Sequence, residues 1–264
     1  MNNNELTNYM NTAIQKLIAN ILKSTFKNLK ETSFLLGYKR VIKNSIKKRE
    51  DFENSSQHIP SFLICSITSA CNLHCKGCYA RANGICSEDK NNAMLSDDDW
   101  SDIFEQARKL GILFCLLAGG EPLLRKGIIE KAADCKEIIF PIFTNGSLIN
   151  DVYITVFNQN RNLVPILSIE GNQELTDLRR GNGTYNKLLD SMMALQKSKI
   201  LFGVSITVTT KNLDEVTSET FINTLNDMGC RLVFFIEYVP IVSSTQDLAP
   251  TDKEVIYYQK NKNS

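Results

Sequence analysis

Cys71, Cys75 and Cys78 stand in one short stretch, CNLHCKGCYA, with the spacing C-x3-C-x2-C. Three thiolates on one loop are ligands for a metal centre, and cysteine thiolates are how proteins hold iron–sulfur clusters. A four-iron cube held by three local cysteines keeps one iron without a protein thiolate. An open coordination position is what chemistry at a metal requires, whereas a closed site is structural. The competing reading is a zinc knuckle in which His74 joins the three cysteines. His74 abuts Cys75, however, and adjacent residues seldom both reach one ion without bending the loop.

Further along, the apolar run Ile112 to Ala118 leads directly into Gly119-Gly120-Glu121-Pro122. An apolar run of this length that ends in paired glycines predicts a buried strand stopping where backbone must approach something closely. Gly-Gly before Glu-Pro also makes ordinary turns. Its place after a buried strand, downstream of the cysteines, is what joins the two motifs.

Together they resemble the radical S-adenosylmethionine (SAM) superfamily, over roughly residues 60–240. The resemblance implies a [4Fe-4S] cluster on Cys71, Cys75 and Cys78 whose open iron chelates the amino and carboxylate groups of SAM. It implies that Gly119, Gly120, Glu121 and Pro122, at the end of the second barrel strand, bind the amino group of the methionine. Ser168 and Glu170, in Ser-Ile-Glu-Gly, would lie near the methionine carboxylate or the ribose. Asn145, in Thr144-Asn145-Gly146, is either turn chemistry or a cofactor contact. Arg179 or Arg180 would pair with the carboxylate, which a guanidinium fork suits. The two neighbours are not both expected to aim at that carboxylate of SAM, and Arg180, next to Gly181, is the choice. Many members place an aromatic residue just before the third cysteine, against the adenine. Here that position is Gly77, with Tyr79 the available substitute. CNLHCKGCY and Ser-Ile-Glu-Gly are most similar to the peptide-modifying and sulfatase-maturing members. Those carry a cysteine-rich C-terminal extension for further clusters, and no cysteine follows Cys230 here.

Elements able to position these residues are legible. Six apolar runs predict strands at Phe62 to Thr68, Ile112 to Ala118, Ile138 to Thr144, Val164 to Glu170, Phe202 to Thr209 and Leu232 to Val239. Amphipathic stretches separate them, the pattern of a parallel sheet covered by helices. Ser96 caps a helix whose first turn is Asp97, Asp98 and Asp99. Trp100, Ile103, Phe104, Ala107 and Leu110 form its buried stripe, and Gly111 ends it. Tyr185, Leu188, Leu189 and Met192 form a second stripe, and Met192 and Met193 read as core filler. The fold class expected is α/β, a partial (β/α)6 parallel barrel with an N-terminal helical arm. In such barrels ligands gather at the C-terminal strand ends. That rule alone picks out the cysteine loop, Gly119-Gly120, Asn145, Ser168 to Gly171, Thr207 to Asn212, and Glu237-Tyr238.

Composition agrees with a real core, since 43% of the 264 residues are apolar. Charge is unevenly spread. Residues 1–50 carry ten Lys and Arg against Glu5, Glu31 and Glu50, a net of +7, on an otherwise acidic chain. Within this arm Leu6, Met10, Ile14, Leu17, Ile18, Ile21, Leu22, Phe26 and Leu29 recur at helical spacing. The arm packs on the barrel's own surface, or contacts a membrane surface through residues 5–29. Nucleic acid is not favoured, because the basic residues lack interleaved aromatics. Residues 1–57 are expected to be arm and linker, with Lys48 to Pro60 the linker, and 58–264 the core. The arm is also available to cover the barrel's open side. Cys65, Cys115, Cys135 and Cys230 lie in or beside apolar runs and are expected as buried, reduced thiols, while Cys86 is an exposed spare or a ligand to something else, the spare being favoured. No long apolar span or cleavable leader is evident, so a cytoplasmic protein is expected. Thr251 to Glu254 forms a capping box for a short last helix, the end of a naturally minimal enzyme or of a shortened one.

The function the resemblance implies is reductive cleavage of SAM, with an electron from a ferredoxin or flavodoxin, to a radical that takes hydrogen from a substrate. That substrate is unidentified, a peptide or a small metabolite, and the residues acting on it are unknown. The alternative is an inactive or shortened cluster-binding or zinc-binding relative, tethered to a membrane through its N-terminal helix.

Overall fold

The structure, a computed structural model, describes residues 12, 29–84, 86, 94–240, 243–251 and 254. Six strands form one sheet in the order β1 (Phe62–Thr68), β2 (Phe114–Gly119), β3 (Phe140–Thr144), β4 (Leu163–Ser168), β5 (Gly203–Val208) and β6 (Leu232–Glu237). Every neighbouring pair is parallel. The sheet curves into a half-barrel with helices on its outer face. The six strand expectations hold, with ends displaced by one or two residues.

The helices are α1 (Leu29–Asn54), α2 (Tyr79–Ala82), α3 (Asp97–Leu110), α4 (Lys126–Asp134), α5 (Asp151–Gln159), α6 (Gln173–Arg180), α7 (Thr184–Lys197), α8 (Leu213–Thr217) and α9 (Glu219–Asp227). Helix α3 starts as expected. Ser96 and Asp99 form a capping box, and Gly111 ends the helix in the left-handed region at φ 81°. Such a cap contributes about 1 kcal/mol. Trp100, Phe104 and Ala107 are buried against the sheet, where Phe104 meets Phe140 edge-on at 4.9 Å. On α7, Leu188 and Met192 are buried, but Met193 is 57% exposed. The core-filler expectation fails for Met193 because consecutive helical residues point about 100° apart.

Two apolar cores result. The larger lies between the sheet and its outer helices. In the smaller, Tyr38 and Ile42 of α1 pack with Leu113, Ile139, Val164, Ile166 and Leu201. These residues belong mostly to the strand starts, so α1 closes the barrel floor. The Tyr38 hydroxyl donates to the Leu113 and Glu137 carbonyls, each at 3.0 Å. Arg49 NH1 donates to the Gly111 carbonyl at 2.5 Å. Two expectations change here. The stretch read as linker is helical as far as Asn54, because Arg49 is drawn into the core. The described part of the arm lies at the end opposite the ligand-binding mouth, since its apolar face matches the strand starts. The stripe from Leu6 to Phe26 lies outside the described residues. Thr251 does cap Glu254, whose carboxylate accepts from the Thr251 N–H and hydroxyl at 2.7 Å.

Candidate functional site

The loops after β1, β2, β3 and β4 meet at the C-terminal end of the sheet, as parallel barrels require. The cysteine loop follows β1. Its three thiols are free and partly buried. Burial pushes the Cys71 and Cys75 thiols above their ordinary value, and at Cys75 the Arg180 and Arg179 guanidiniums pull against that rise. Two cations beside a thiol are what a thiolate ligand calls for.

The glycine motif docks on this loop. Gly120 N–H donates to the Thr68 carbonyl at 2.7 Å, and Glu121 N–H to the Ala70 carbonyl at 2.8 Å. A Cβ on Gly120 would collide with the Ala70 carbonyl, and one on Gly119, at φ 120°, with the Thr68 carbonyl. Paired glycines are therefore needed for the exit of β2 to lie against the residues that precede Cys71. Pro122 is buried and opens a single 3-10 turn, Pro122–Leu124.

The Glu121 carboxylate is 1% exposed and is used within the fold. Oε1 accepts from Thr144 Oγ1 at 2.6 Å and Leu123 N–H at 3.1 Å, and Oε2 from Asn145 N–H at 2.8 Å. Burial pushes its carboxyl up, against the pull of these three donors. Asn145 Nδ2 donates to Asn72 Oδ1 at 2.8 Å, and Asn145 Oδ1 accepts from the Ser147 N–H and hydroxyl. Asn145 thus fastens the exit of β3 to the residue after Cys71. Asn72 was missed from the sequence, where an asparagine beside a cysteine carries no signal of its own.

At the end of β4, Ser168 Oγ lies 3.1 Å from Ser205 Oγ of β5. Glu170 is 2% exposed. Its Oε1 accepts from Arg179 NH1 at 2.6 Å and from Arg180 Nε and NH2 at 2.8 and 2.5 Å. Both adjacent arginines thus meet one carboxylate of the chain itself. Both sit in the last turn of α6, and both side chains reach back to Glu170. Among the described residues Glu170 Oε2 is buried with no hydrogen-bond partner, and an orphaned buried oxygen calls for an explanation. Glu170 lines a cavity of about 230 Å³ whose walls include Gly77, Leu175, Leu178, Arg179 and Tyr238.

Tyr79, the expected substitute aromatic, is 60% exposed. The ring that meets Gly77 is Tyr238, just after β6 and 6% exposed. A Cβ on Gly77, which sits at φ 64°, would lie 3.2 to 3.6 Å from the Tyr238 ring and hydroxyl. Cys86 is buried rather than an exposed spare, with its N–H on the Ala80 carbonyl at 2.8 Å. Burial pushes its thiol up to about 11, with Cys78, Cys71 and Cys75 adding to the rise.

His74 is exposed while the three cysteines are partly buried. Among the described residues, no three His, Cys, Asp or Glu side chains gather so as to hold a single metal ion. A zinc knuckle needs four ligands within about 2.3 Å of one point, whereas a cubane offers separate irons to separate thiolates. The loop fits the cluster better: three free thiols, two guanidiniums beside Cys75, and the glycine junction leaning on the same loop. Among the described residues no helix is long and apolar enough to cross a membrane.

Comparison with known proteins agrees with this geometry. The chain is 26% identical over 162 residues to the sporulation killing factor maturation protein SkfB of Bacillus subtilis, covering 60% of this chain and 38% of that protein. It is 26% identical over 214 residues to the AdoMet-dependent heme synthase of Methanosarcina barkeri, covering 78% and 60%. The chain thus spans less than two thirds of either relative. Among solved structures, SuiB of Streptococcus suis bound to S-adenosylmethionine superposes with a TM-score of 0.67 at 15% identity, over 84% of this chain and 51% of that one, a likeness of fold. SuiB has also been solved bound to its precursor peptide SuiA. The profile of the Radical SAM superfamily matches residues 65–228, more than half of the chain, from within β1 to the end of α9. The chain belongs to the Radical SAM superfamily, whose members are enzymes that use a [4Fe-4S] cluster and S-adenosylmethionine.

Proposed function

We propose that this chain is the core of a radical SAM enzyme that takes a hydrogen atom from a peptide substrate at the barrel mouth. The observation that carries the SAM-binding part is Glu170, which lines a cavity beside the cysteine loop and whose buried Oε2 has no partner among the described residues. A bound group with hydroxyl or amine donors would satisfy it. Cys71, Cys75 and Cys78 would hold the cluster. Gly119 and Gly120, docked on the residues that lead into Cys71, would lie beside the methionine amino group. Arg180, with Ser168 nearby on β4, would meet the methionine carboxylate, and Tyr238 would wall the adenine side next to Gly77. When bound, the cluster and SAM together supply a 5′-deoxyadenosyl radical, the chemistry no side chain can perform. What the chain supplies is position, charge and a site shielded from water.

Support for a peptide comes from the relatives, since SkfB is named as a maturation protein and SuiB has been solved with a precursor peptide. A heme synthase among them is the counterweight. The electron would come from a ferredoxin or flavodoxin. The test is to supply candidate precursor peptides with SAM and reductant and look for mass changes in the peptide. A product dependent on Cys75 supports the reading, and turnover of small metabolites alone contradicts it.

A further inference from the structure

Lys76 and Gly77 fill the two positions between the second and third cysteines, so their backbone sets how far Cys75 stands from Cys78. Both are tied to one residue, Arg179, in the last turn of α6. Lys76 N–H donates to the Arg179 carbonyl at 2.7 Å. Arg179 Nε donates back to the Lys76 carbonyl at 3.3 Å, and NH2 reaches the Gly77 carbonyl at 3.5 Å. The remaining nitrogen, NH1, holds Glu170 Oε1 at 2.6 Å. The guanidinium is 19% exposed, and its carboxylate anchor 2%. On its other side the loop is backed by Tyr238 against Gly77. Arg180 behaves differently, for among the described residues its guanidinium donates only to Glu170.

We infer that Arg179 is a positioning residue for the cysteine loop, fixing the spacing of the second and third thiolates. The argument is geometric. A planar guanidinium directs its five N–H groups in fixed directions, so one side chain can hold two successive carbonyls and a carboxylate together. An ammonium on a flexible stem carries the same charge without that fork. Groups that hold ligands in place from behind affect metal retention nearly as much as the ligands do. The inference rests on the cluster reading proposed above, and the experiment separates the two.

The wild-type chain and the Arg179→Lys, Arg179→Met and Arg180→Lys variants are reconstituted anaerobically with iron and sulfide. Each is mixed with a ferrous chelator in the absence of SAM, and the loss of cluster absorbance is timed. Both Arg179 variants are expected to release iron about 10-fold faster than wild type or more, with an altered EPR signal of the reduced cluster. Arg180→Lys should release iron at the wild-type rate but bind SAM more weakly. The lysine substitution at 179 keeps the charge and is mild enough to preserve the fold, which circular dichroism would verify. Iron release from Arg179→Lys at the wild-type rate overturns the inference, because charge alone then suffices. Faster release from Arg180→Lys than from Arg179→Lys overturns it too. A wild-type chain that takes up no iron defeats the cluster reading itself and this inference with it.

Discussion

Thr144 and Glu121 are joined by a 2.6 Å hydrogen bond from the threonine hydroxyl to Oε1 of the carboxylate, deep beneath the mouth of the barrel. This bond ties the exit of β3 to that of β2, and the Asn145 N–H completes the tie on Oε2. The glutamate of the Gly-Gly-Glu-Pro motif therefore ties the exits of β2 and β3 together.

Replacing Glu121 by alanine should leave three buried donors without an acceptor. Each such group costs about 1–3 kcal/mol, so the urea midpoint should fall by a large fraction of the total stability. Glutamine, keeping one acceptor oxygen, should fall less. Unchanged midpoints together with lost SAM binding would show that the carboxylate belongs to the ligand instead.

Gly120→Ala places a methyl group against the Ala70 carbonyl, and backbone cannot step aside as a flexible side chain can. Overpacking of this kind costs about 1–3 kcal/mol. The thermal midpoint should drop, and iron uptake should drop with it, because the collision pushes on the residues leading into Cys71. A variant with wild-type melting and iron content would argue that the two loops are not in contact.

Tyr238 and Tyr79 make opposite forecasts. Tyr238→Leu should weaken SAM binding by about 2- to 10-fold, which is what 0.5–1.5 kcal/mol of ring contact is worth. Methionine alone, which has no base, should bind as before, and Tyr79→Leu should change neither. Equilibrium binding to the reconstituted protein would decide. Loss of methionine and SAM affinity alike in Tyr238→Leu would show a damaged loop rather than a missing wall.

At the far end of the barrel, Tyr38→Phe removes one buried hydroxyl that serves two carbonyls, Leu113 and Glu137. A loss of about 1–2 kcal/mol is expected, read as a lower denaturant midpoint with SAM affinity unchanged. No change in stability would mean that α1 does not seal the floor.

The strands were legible because a buried parallel strand is a bare apolar run, and the loops that matter follow directly from where those runs stop. Helix α3 was legible from Ser96, Asp99 and Gly111, whose local chemistry fixes both ends. Several features were not legible, all for the same reason. Tyr238 meeting Gly77, Arg179 reaching Lys76, and Asn72 meeting Asn145 each join residues far apart in the chain, through side chains whose types suit many surface positions. The partners of Glu121 within the fold, Thr144, Leu123 and Asn145, were not legible either, since a motif tells which residues recur and not what each of their atoms meets. The helical run to Asn54 was hidden by charge: Lys48, Arg49 and Glu50 look like a linker until Arg49 is seen buried against the Gly111 carbonyl.

The most direct test of the account is anaerobic. The chain is reconstituted with iron and sulfide, reduced with dithionite in the presence of SAM, and assayed for 5′-deoxyadenosine beside a Cys75→Ala control. Deoxyadenosine formed by the intact chain and absent from the control is the predicted result. A stably bound cluster with no deoxyadenosine, or a chain that takes up zinc in preference to the cluster, would contradict it.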